Sequence, residues 1–457
     1  MLYGIDFGTS NSAISLMPPE EPVKVLPVDK DAPRPEIMST LIYIRRDGAT
    51  VTGHTASEAY FRDNVGREIV KQLINTGTFI KSYIDGYGEV TEALVVETDA
   101  NMPGRFFQAI KSFLAEDGYG GTDVFGTFMT IEELVALFLR TLKLRADEMM
   151  GQEIEGVVLG RPVFFSPEGR GDVLAQQRLR SAAEQAGFKE IHFQYEPVAA
   201  ALHYEAEIAS GEENVLVFDF GGGTLDTTVV RVGPHRHHLG DRRDDILATD
   251  GRVIGGNTLD EEIMEKKLFK YFGENARWSE QQLTLPHYIF AMLRQWYTIP
   301  NLQQQRIYSF LEEISRFSSG RRQIKALECL IRKNYGYSLF QEIERAKVEL
   351  SSKWETRINF FQEAIAISEY LGRPGFEAII SGHLRRIENC LDETLAAAGL
   401  EAAQIGAVLR TGGSSYIPAV QKMLERKFGA EKLRFQDAFA NVASGLGVAA
   451  ARGTFFD

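Results

Sequence analysis

The chain has 457 residues, of which 44% are hydrophobic and 25% charged, a composition typical of a globular protein too long for a single hydrophobic core. Its formal net charge of -13 argues against a general affinity for nucleic acid or anionic membranes, because both partners need a basic surface. Two cysteines, Cys329 and Cys390, can build neither a disulfide framework nor a cysteine-rich metal site.

The N-terminal part begins with a strand pattern at Leu2 rather than with a secretory signal, and no apolar run reaches the ~20 residues of a membrane helix. We therefore expect a soluble, cytoplasmic protein. Residues 1–60 are predicted to form strands joined by proline-rich turns. A helix is predicted over 130–151, because Thr130 and Glu133 have the spacing of a capping box and Gly151 follows the last apolar position.

Strand and helix patterns alternate through the centre of the chain. IEGVVLGRPVFF predicts a buried strand, SAAEQAG a helix and IHFQY a short strand, an order that indicates an α/β sheet. Residues 257–371 are predicted to be almost continuously helical. A strand at AVLRTGG, a helix from Ile417 and a small-residue helix at NVASGLGVAAA follow, and we expect the last helix to pack on the first half.

Two glycine turns lie between apolar runs, Asp6-Phe7-Gly8-Thr9 and Asp219-Phe220-Gly221-Gly222-Gly223-Thr224. Their matching contexts predict a duplicated domain. Glycine lets backbone N–H groups approach phosphate oxygens, and an aspartate at a strand end suits hydrated Mg²⁺. One such turn alone is more typical of a plain β-hairpin, but the pair favours phosphate binding.

Several segments together resemble the nucleotide-binding domain of the DnaK-type, seventy-kilodalton heat-shock chaperones. They are GIDFGTSNS, VLGRPVFF, YEPVAAALHYE, VLVFDFGGGTLD, GGNTLDEEI, EIERAKVELSS, LRTGGSSYIPAVQKML and NVASGLGVAAA. The resemblance implies an α/β, actin-like ATPase fold of two duplicated ribonuclease-H-like lobes, each with an inserted subdomain. The first lobe is expected over 1–209, with an insertion at about 32–127 and a closing helix at 436–457. The second is expected over 210–435, with a helical insertion at about 257–379.

The resemblance also implies a site for ATP or ADP with Mg²⁺. The implied catalytic residues are Asp6, Lys111, Glu196, Asp219 and Thr224. The implied nucleotide-binding residues are Gly8, Thr9, Ser10, Asn11, Gly221, Gly222, Gly223, Thr224, Gly255, Gly256, Glu344, Lys347, Ser351, Gly412, Gly413, Ser414 and Tyr416. The implied magnesium residues, acting largely through water, are Asp6, Asp219 and Asp226.

Four of these residues have simpler interpretations. Lys111 fits a solvated helix lysine, and Glu196 before Pro197 fits the opening of a helix. Glu344 and Lys347 have the spacing of an exposed helical ion pair. Tyr416 stands where these chaperones usually have an arginine against the base, so stacking would replace that contact.

Functionally, the resemblance implies slow ATP hydrolysis that drives a conformational signal, with lobes that meet only at the nucleotide and a hinge. The chain ends at GTFFD, so we expect no peptide-binding domain of its own and instead an unknown protein partner or nucleotide-exchange regulator. The long interval between Gly256 and Glu344 predicts either a partner surface or a self-packed helical enlargement.

Other functions of the same superfamily remain open at this point. An actin-like filament ATPase would polymerise with ATP, and a small-molecule kinase would transfer the phosphate to a substrate hydroxyl. A protein that binds nucleotide without hydrolysing it is a further alternative. The PHRHH segment at 234–238 is not expected to bind metal, because its crowded histidines lack the spacing of a closed site.

Overall fold

The computed structural model describes residues 1–67, 70–84, 88–165, 171–205, 208, 210–236, 242–434 and 440–456. In these ranges no helix is long and apolar enough to cross a membrane. Two β-sheets with helices packed against them organise the described chain, and each sheet carries one of the glycine turns.

The first half supplies one of these sheets and most of the smaller ones. Its strands are β1 (Leu2–Phe7), β2 (Asn11–Leu16), β3 (Lys24–Val25), β4 (Met38–Ser39), β5 (Leu41–Arg45), β6 (Thr50–Thr52), β7 (Lys71–Ile84), β8 (Gly88–Asp99), β9 (Gly104–Gln108), β10 (Gly121–Val124), β11 (Thr127–Thr130), β12 (Gly156–Arg161) and β13 (Glu190–Tyr195). Its helices are α1 (His54–Asn64), α2 (Ile131–Met150), α3 (Asp172–Ala186) and α4 (Glu196–Glu205).

The second half contains the other large sheet and a block of helices. Its strands are β14 (Glu213–Phe220), β15 (Leu225–Val232), β16 (Ile246–Arg252), β17 (Glu355–Gln362), β18 (Ile365–Gly372), β19 (Ile405–Thr411) and β20 (Leu433–Arg434). Its helices are α5 (Gly256–Ile263), α6 (His287–Leu293), α7 (Gln305–Phe317), α8 (Arg321–Arg332), α9 (Gly336–Ser352), α10 (Arg373–Ile379), α11 (Ser381–Ala397), α12 (Pro418–Phe428) and α13 (Asn441–Arg452).

The two large sheets have the same strand order. The first runs β13-β12-β1-β2-β3, with β4 beside β2, and the second runs β20-β19-β14-β15-β16. In each sheet an antiparallel hairpin, β1-β2 or β14-β15, continues into two parallel strands on the side of its first strand. The duplication predicted from the paired glycine turns therefore extends to the topology of both sheets.

Helix α2 begins and ends where its sequence signals predict. The Thr130 hydroxyl accepts a hydrogen bond from the backbone of Glu133, whose carboxylate accepts one from the backbone of Thr130. Gly151 takes the left-handed conformation at the C-terminus, with φ 65, which glycine adopts without steric cost. This capping fixes both ends of α2, and the apolar face of α2 packs in the core with the first sheet.

Two predictions of secondary structure are wrong. Residues 257–371 are not continuously helical, because β17 and β18 form an antiparallel hairpin there. Alternate residues of β17 are buried and exposed, a period-2 pattern that the dense helical segments before it obscured. The strand prediction for 1–60 likewise misses α1, which begins at His54.

The C-terminal helix α13 packs on the first half, as predicted. The Ser15 hydroxyl on β2 donates a hydrogen bond to the carbonyl oxygen of Ala443, 2.5 Å away. A Cβ at Gly445 would overlap the carbonyl of Ala199 on α4, so only a glycine permits this close approach. Together α4 and α13 form an apolar layer that contacts both large sheets.

An aromatic cluster also joins the two halves, and its residues are far in the sequence from α4 and α13. Tyr60 on α1 and Phe106 on β9 contact Trp296 and Tyr337, with ring centroids 5.3 to 6.1 Å apart. The Asn334 side chain also donates a hydrogen bond to the Tyr60 hydroxyl at 3.3 Å. The expectation that the halves meet only at a nucleotide and a hinge is therefore wrong.

Candidate functional site

The tips of the two hairpins meet each other. The turn between β1 and β2 places the Ser10 side chain against Gly222 in the turn between β14 and β15, where any Cβ would overlap the Ser10 hydroxyl. A Cβ at Gly223 would stand 3.7 Å from the Thr9 methyl group. Gly222 therefore lets two separate sheets bring their turns together, whereas a side chain at Gly223 would make only an ordinary contact.

The first turn is fixed by Thr40. The Thr40 backbone N–H donates to the Ser10 carbonyl at 2.8 Å, and its hydroxyl donates to the Gly8 carbonyl at 2.9 Å. A Cβ at Gly8 would overlap the carbonyl of Asn11, so the turn cannot carry a side chain at that position without moving. These contacts fix the backbone of the residues predicted to bind phosphate.

The second turn is held by the segment that opens α5 and by the turn after β19. Gly256 N–H donates to the Gly221 carbonyl at 3.0 Å, and Asn257 N–H donates to the Gly222 carbonyl at 2.9 Å. The Ser414 hydroxyl also donates to Gly221, at 2.9 Å. The segments VLVFDFGGGTLD, GGNTLDEEI and LRTGGSSYIPAVQKML are thus in direct contact.

Asp6 and Asp219 occupy equivalent places, one residue before the end of β1 and of β14. Burial raises the pKa of Asp6 to about 8, with Glu196 and Asp219 adding to the rise and Lys111 opposing it. Burial followed by the charge of Glu196 raises the pKa of Asp219 to about 6. The hairpins therefore hold carboxyl groups whose charge is poorly compensated by the protein.

Asp226 lies opposite Asp219 in the register of β14 and β15. Its Oδ2 accepts a hydrogen bond from the Thr224 hydroxyl at 2.9 Å. Burial and the charge of Asp219 raise the pKa of Asp226 to about 7, although the Thr224 bond opposes the rise. Asp226 is thus close enough to Asp219 for the charge of one carboxylate to affect the pKa of the other.

Lys111 and Glu196 form an ion pair beside these acids. Lys111 Nζ lies 2.7 Å from Glu196 Oε1, and Lys111 is 9% exposed. Burial alone would lower the pKa of Lys111, but attraction to Glu196 and Asp6 outweighs it and raises the pKa. Lys111 occupies a short 3-10 turn, Ile110–Phe113, so the interpretation as a solvated helix lysine is wrong. Glu196 begins α4, which makes its helix-opening role compatible with this pair.

The predicted nucleoside residues surround a buried lysine. Lys347 on α9 donates hydrogen bonds to the Gly256 carbonyl at 2.9 Å and to Asp260 Oδ2 at 2.7 Å. It is 8% exposed, which excludes the simple exposed Glu-Lys pair. Glu344 is exposed and Ser351 half-buried on the same helix, so these two lie nearer its solvent side.

Asp260 belongs to this cluster although sequence reasoning did not single it out. Burial raises its pKa to about 7, with Lys347 opposing and Glu344 adding to the rise. Its other oxygen, Oδ1, has no hydrogen-bond partner among the described atoms. The quoted segment GGNTLDEEI contains this aspartate, but only the position of Lys347 reveals its role as a counterion.

The second wall of the cluster follows β19. Gly412 has φ 74, and a Cβ there would overlap the carbonyl of Phe220, so the turn lies directly on the end of β14. Gly413 to Tyr416 form a 3-10 turn. The half-buried Tyr416 ring lies under the guanidinium of Arg410, 5.9 Å from its centroid, and contributes an aromatic surface at this wall.

The donor set fits a hydrated magnesium ion better than a directly ligated metal. In the described part of the chain no three His, Cys, Asp or Glu side chains are grouped closely enough to hold a metal directly. Asp6, Asp219 and Asp226 are carboxylates of raised pKa, which a hydrated divalent cation would favour in the charged form. In PHRHH, His235 pairs with Glu212 at 2.7 Å, and 237–238 lie outside the described residues.

Two sheets of identical strand order, each ending in a glycine turn and facing the other, define the actin-like ATPase fold. Within that class the chain belongs to the Hsp70 family, because the Hsp70 protein family model matches residues 2–282 and 325–452.

Curated relatives agree with the family. The chain is 27% identical over 457 residues to the chaperone protein DnaK of two strains of Thermus thermophilus. It is 24% identical over 457 residues to the chaperone protein DnaK of Thermosipho africanus. These alignments include 98% of this chain but only 58 to 60% of each relative, so the chain spans about 60% of their length.

Proposed function

We propose that this protein binds ATP between the two glycine turns and hydrolyses it slowly, as a chaperone-type conformational switch. The observation that carries the proposal is the direct approach of Ser10 to Gly222. It supports the proposal because the two turns, each next to an acid at a strand end, contact each other directly. Phosphoryl transfer depends mainly on positioning and charge neutralisation, which such a site provides.

Each site residue has a proposed role. The turns Gly8 to Asn11 and Gly221 to Thr224 would grip the phosphates through backbone N–H groups and hydroxyls. Lys111 would neutralise negative charge at the phosphates, and Glu196, paired with it at 2.7 Å, would orient the attacking water. Asp6, Asp219 and Asp226 would hold Mg²⁺ largely through water, and that ion would supply charge neutralisation.

The nucleoside would lie between α9 and the turn after β19. Lys347, Glu344 and Ser351 would contact its ribose and base on one side, and Gly412, Gly413, Ser414 and Tyr416 would form the other side. Gly255 and Gly256 connect both parts, since Gly256 contacts Lys347 and the second phosphate turn. Tyr416 would stack on the base in place of an arginine.

The organisation around the site is proposed as two lobes. The first is 1–209 with an insertion at about 32–127, closed by 436–457. The second is 210–435 with a largely helical insertion at about 257–379. The ADP and ATP states would differ in lobe closure, read by a protein partner or a nucleotide-exchange regulator in the cytoplasm.

Single-turnover hydrolysis of Mg-ATP tests the proposal, with bound nucleotide measured in parallel. We expect tight binding and slow phosphate release by the wild-type protein. Glu196→Gln should lower hydrolysis about a hundredfold with little loss of binding, whereas Glu190→Gln, at an exposed glutamate on the neighbouring strand β13, should change neither.

Three results would overturn the assignment. Absence of nucleotide binding would reject the site itself. ADP formation only with an added hydroxyl substrate, without release of free phosphate, would indicate a kinase. ATP-dependent sedimentation would indicate a filament-forming ATPase.

A further inference from the structure

The segment that the family model leaves unmatched, 283–324, differs in charge from the rest of the chain. It carries five arginines and two glutamates, whereas the whole protein has a formal net charge of -13. It forms α6, α7 and the start of α8. Arg294 is paired with glutamates of α5 and of the turn that follows it, and Arg316 with Glu312. The positive charge left on this enlargement therefore comes from Arg306, Arg321 and Arg322.

An apolar cleft opens on this enlargement. It has a volume of about 380 Å³ and is lined by Pro286, Tyr288, Arg306, Ile307 and Phe310. That volume is within the range of pockets that hold small ligands or a few side chains. One arginine at the edge of an otherwise mostly apolar lining suits a hydrophobic group with an adjacent carboxylate.

The enlargement also carries exposed apolar side chains outside the cleft. Phe317 is 76% exposed and Leu283 46% exposed. Phe310 and Phe317 are seven residues apart on α7 and so lie on one helix face. Trp278 packs edge-on against Phe310, with ring centroids 5.7 Å apart. The exposed Glu313 lies between Phe310 and Phe317 on that face, so Phe317 is a separate apolar site on α7 rather than a continuation of the cleft.

In the part of the chain that the structure describes, three arginines of this enlargement have no acidic partner. Across the described residues, no carboxylate lies within ion-pair distance of Arg306, Arg321 or Arg322. Arg321 and Arg322 are the first two residues of α8, where the helix dipole disfavours positive charge. Nearby, Arg277 is tied to the α7–α8 turn through Ser319. The local electrostatic cost would be offset by a bound anionic group.

We propose that this surface, defined by the 380 Å³ cleft, Phe317, Arg321 and Arg322, binds an acidic segment of another protein. The segment would insert an aromatic or aliphatic side chain into the cleft and place carboxylates on the arginines. Charge complementarity favours this occupant over a neutral or basic one. The inference concerns a face outside the nucleotide site and does not depend on ATP hydrolysis.

The test uses fluorescence anisotropy with the full chain and a labelled peptide that places a Leu-Phe pair between runs of glutamate. We expect saturable binding that weakens with salt and disappears when lysines replace the glutamates. Arg321→Glu with Arg322→Glu should weaken binding at least about tenfold. Phe317→Ser, at an exposed position that tolerates a polar residue, should weaken it about fivefold.

Matched variants keep the test interpretable. Arg385→Glu with Arg386→Glu reverses another exposed arginine pair, on α11, and Phe361→Ser changes an exposed phenylalanine on β17. Both should bind the peptide like the wild-type protein. Equal binding by the Arg321/Arg322 variant, or no binding by any protein, would overturn the proposal. Sedimentation showing a dimer that this variant abolishes would replace the proposed occupant with a second copy of the chain.

Discussion

Thr224 connects the second glycine turn to the acid behind it. Its hydroxyl donates to Asp226 Oδ2 at 2.9 Å, so Thr224→Ala removes both a donor near the predicted phosphate and a bond that lowers the pKa of Asp226. We expect single-turnover hydrolysis to fall about tenfold or more, while ATP affinity changes less. Thr127→Ala, at an exposed position on β11, is the control; equal losses of binding and turnover in Thr224→Ala would contradict this role.

The half-buried carboxyl of Asp6 predicts a pH dependence of stability. Its pKa rises from 3.8 to about 8 on folding, so between these values the folded state holds a proton that the unfolded state releases. Stability of the nucleotide-free protein should therefore fall as pH rises through that window, by about 2 kcal/mol or more from this group. Asp6→Asn removes the titration and should flatten the fall in thermal-unfolding temperature.

The matched control for this experiment is Asp117→Asn, at an exposed position, which should keep the wild-type pH profile. Asp219 and Asp226 also have raised pKa values, about 6 and about 7, so some slope should persist in Asp6→Asn. An Asp6→Asn profile as steep as that of the wild-type protein would show that Asp6 does not retain its proton on folding.

At the scale of elements, contact between the two turns depends on a glycine. A Cβ at Gly222 would overlap the Ser10 hydroxyl, so Gly222→Ala should push the turns apart and weaken ATP binding about tenfold. The Ser10 Cβ is 3.3 Å from the same point, a distance that small shifts can relieve. Ser10→Ala combined with Gly222→Ala should therefore recover part of the affinity measured by calorimetry; a double variant weaker than Gly222→Ala would show that the overlap is not the cause.

Elements with strong local signals were predictable, and one without them was not. The capping box of α2 and the paired glycine turns define their own boundaries through backbone chemistry. The β17–β18 hairpin has no such signal, because its period-2 alternation follows a long run of helical patterns. In the sequence Lys111 also fits a solvated helix lysine, and only the fold brings its Nζ within 2.7 Å of Glu196 Oε1.

At the scale of the whole molecule, the sheet duplication could be inferred from the sequence, but the contact between the halves could not. In the sequence, the aromatic residues of α1, β9 and the helices of the second half cannot be distinguished from ordinary core residues. Their pairing depends on how the two halves face each other, which no local pattern encodes. The cluster of Tyr60, Phe106, Trp296 and Tyr337 is consequently a structural finding.

This cluster predicts a control on nucleotide exchange. Trp296 lies in the segment outside the family model and contacts Tyr60, Phe106 and Tyr337 at 6.1, 6.0 and 4.9 Å. If nucleotide binds between the halves, the contacts of Trp296 with Tyr60 and Phe106 oppose their separation, and each aromatic pair contributes about 0.5–1.5 kcal/mol. Trp296→Ala should therefore speed dissociation of a fluorescent ATP analogue about tenfold in stopped-flow measurements.

Trp354→Ala is the matched control, because Trp354 is 68% exposed and stacks with Arg373 rather than across the halves. Its dissociation rate should equal that of the wild-type protein. Unchanged dissociation from Trp296→Ala, with affinity also unchanged, would mean that the halves separate elsewhere or that release does not require their separation. Faster dissociation with an unchanged association rate would instead show that the aromatic contact forms only in the closed state. A contact that also formed before binding would slow nucleotide entry as well as exit, so its loss would speed both steps.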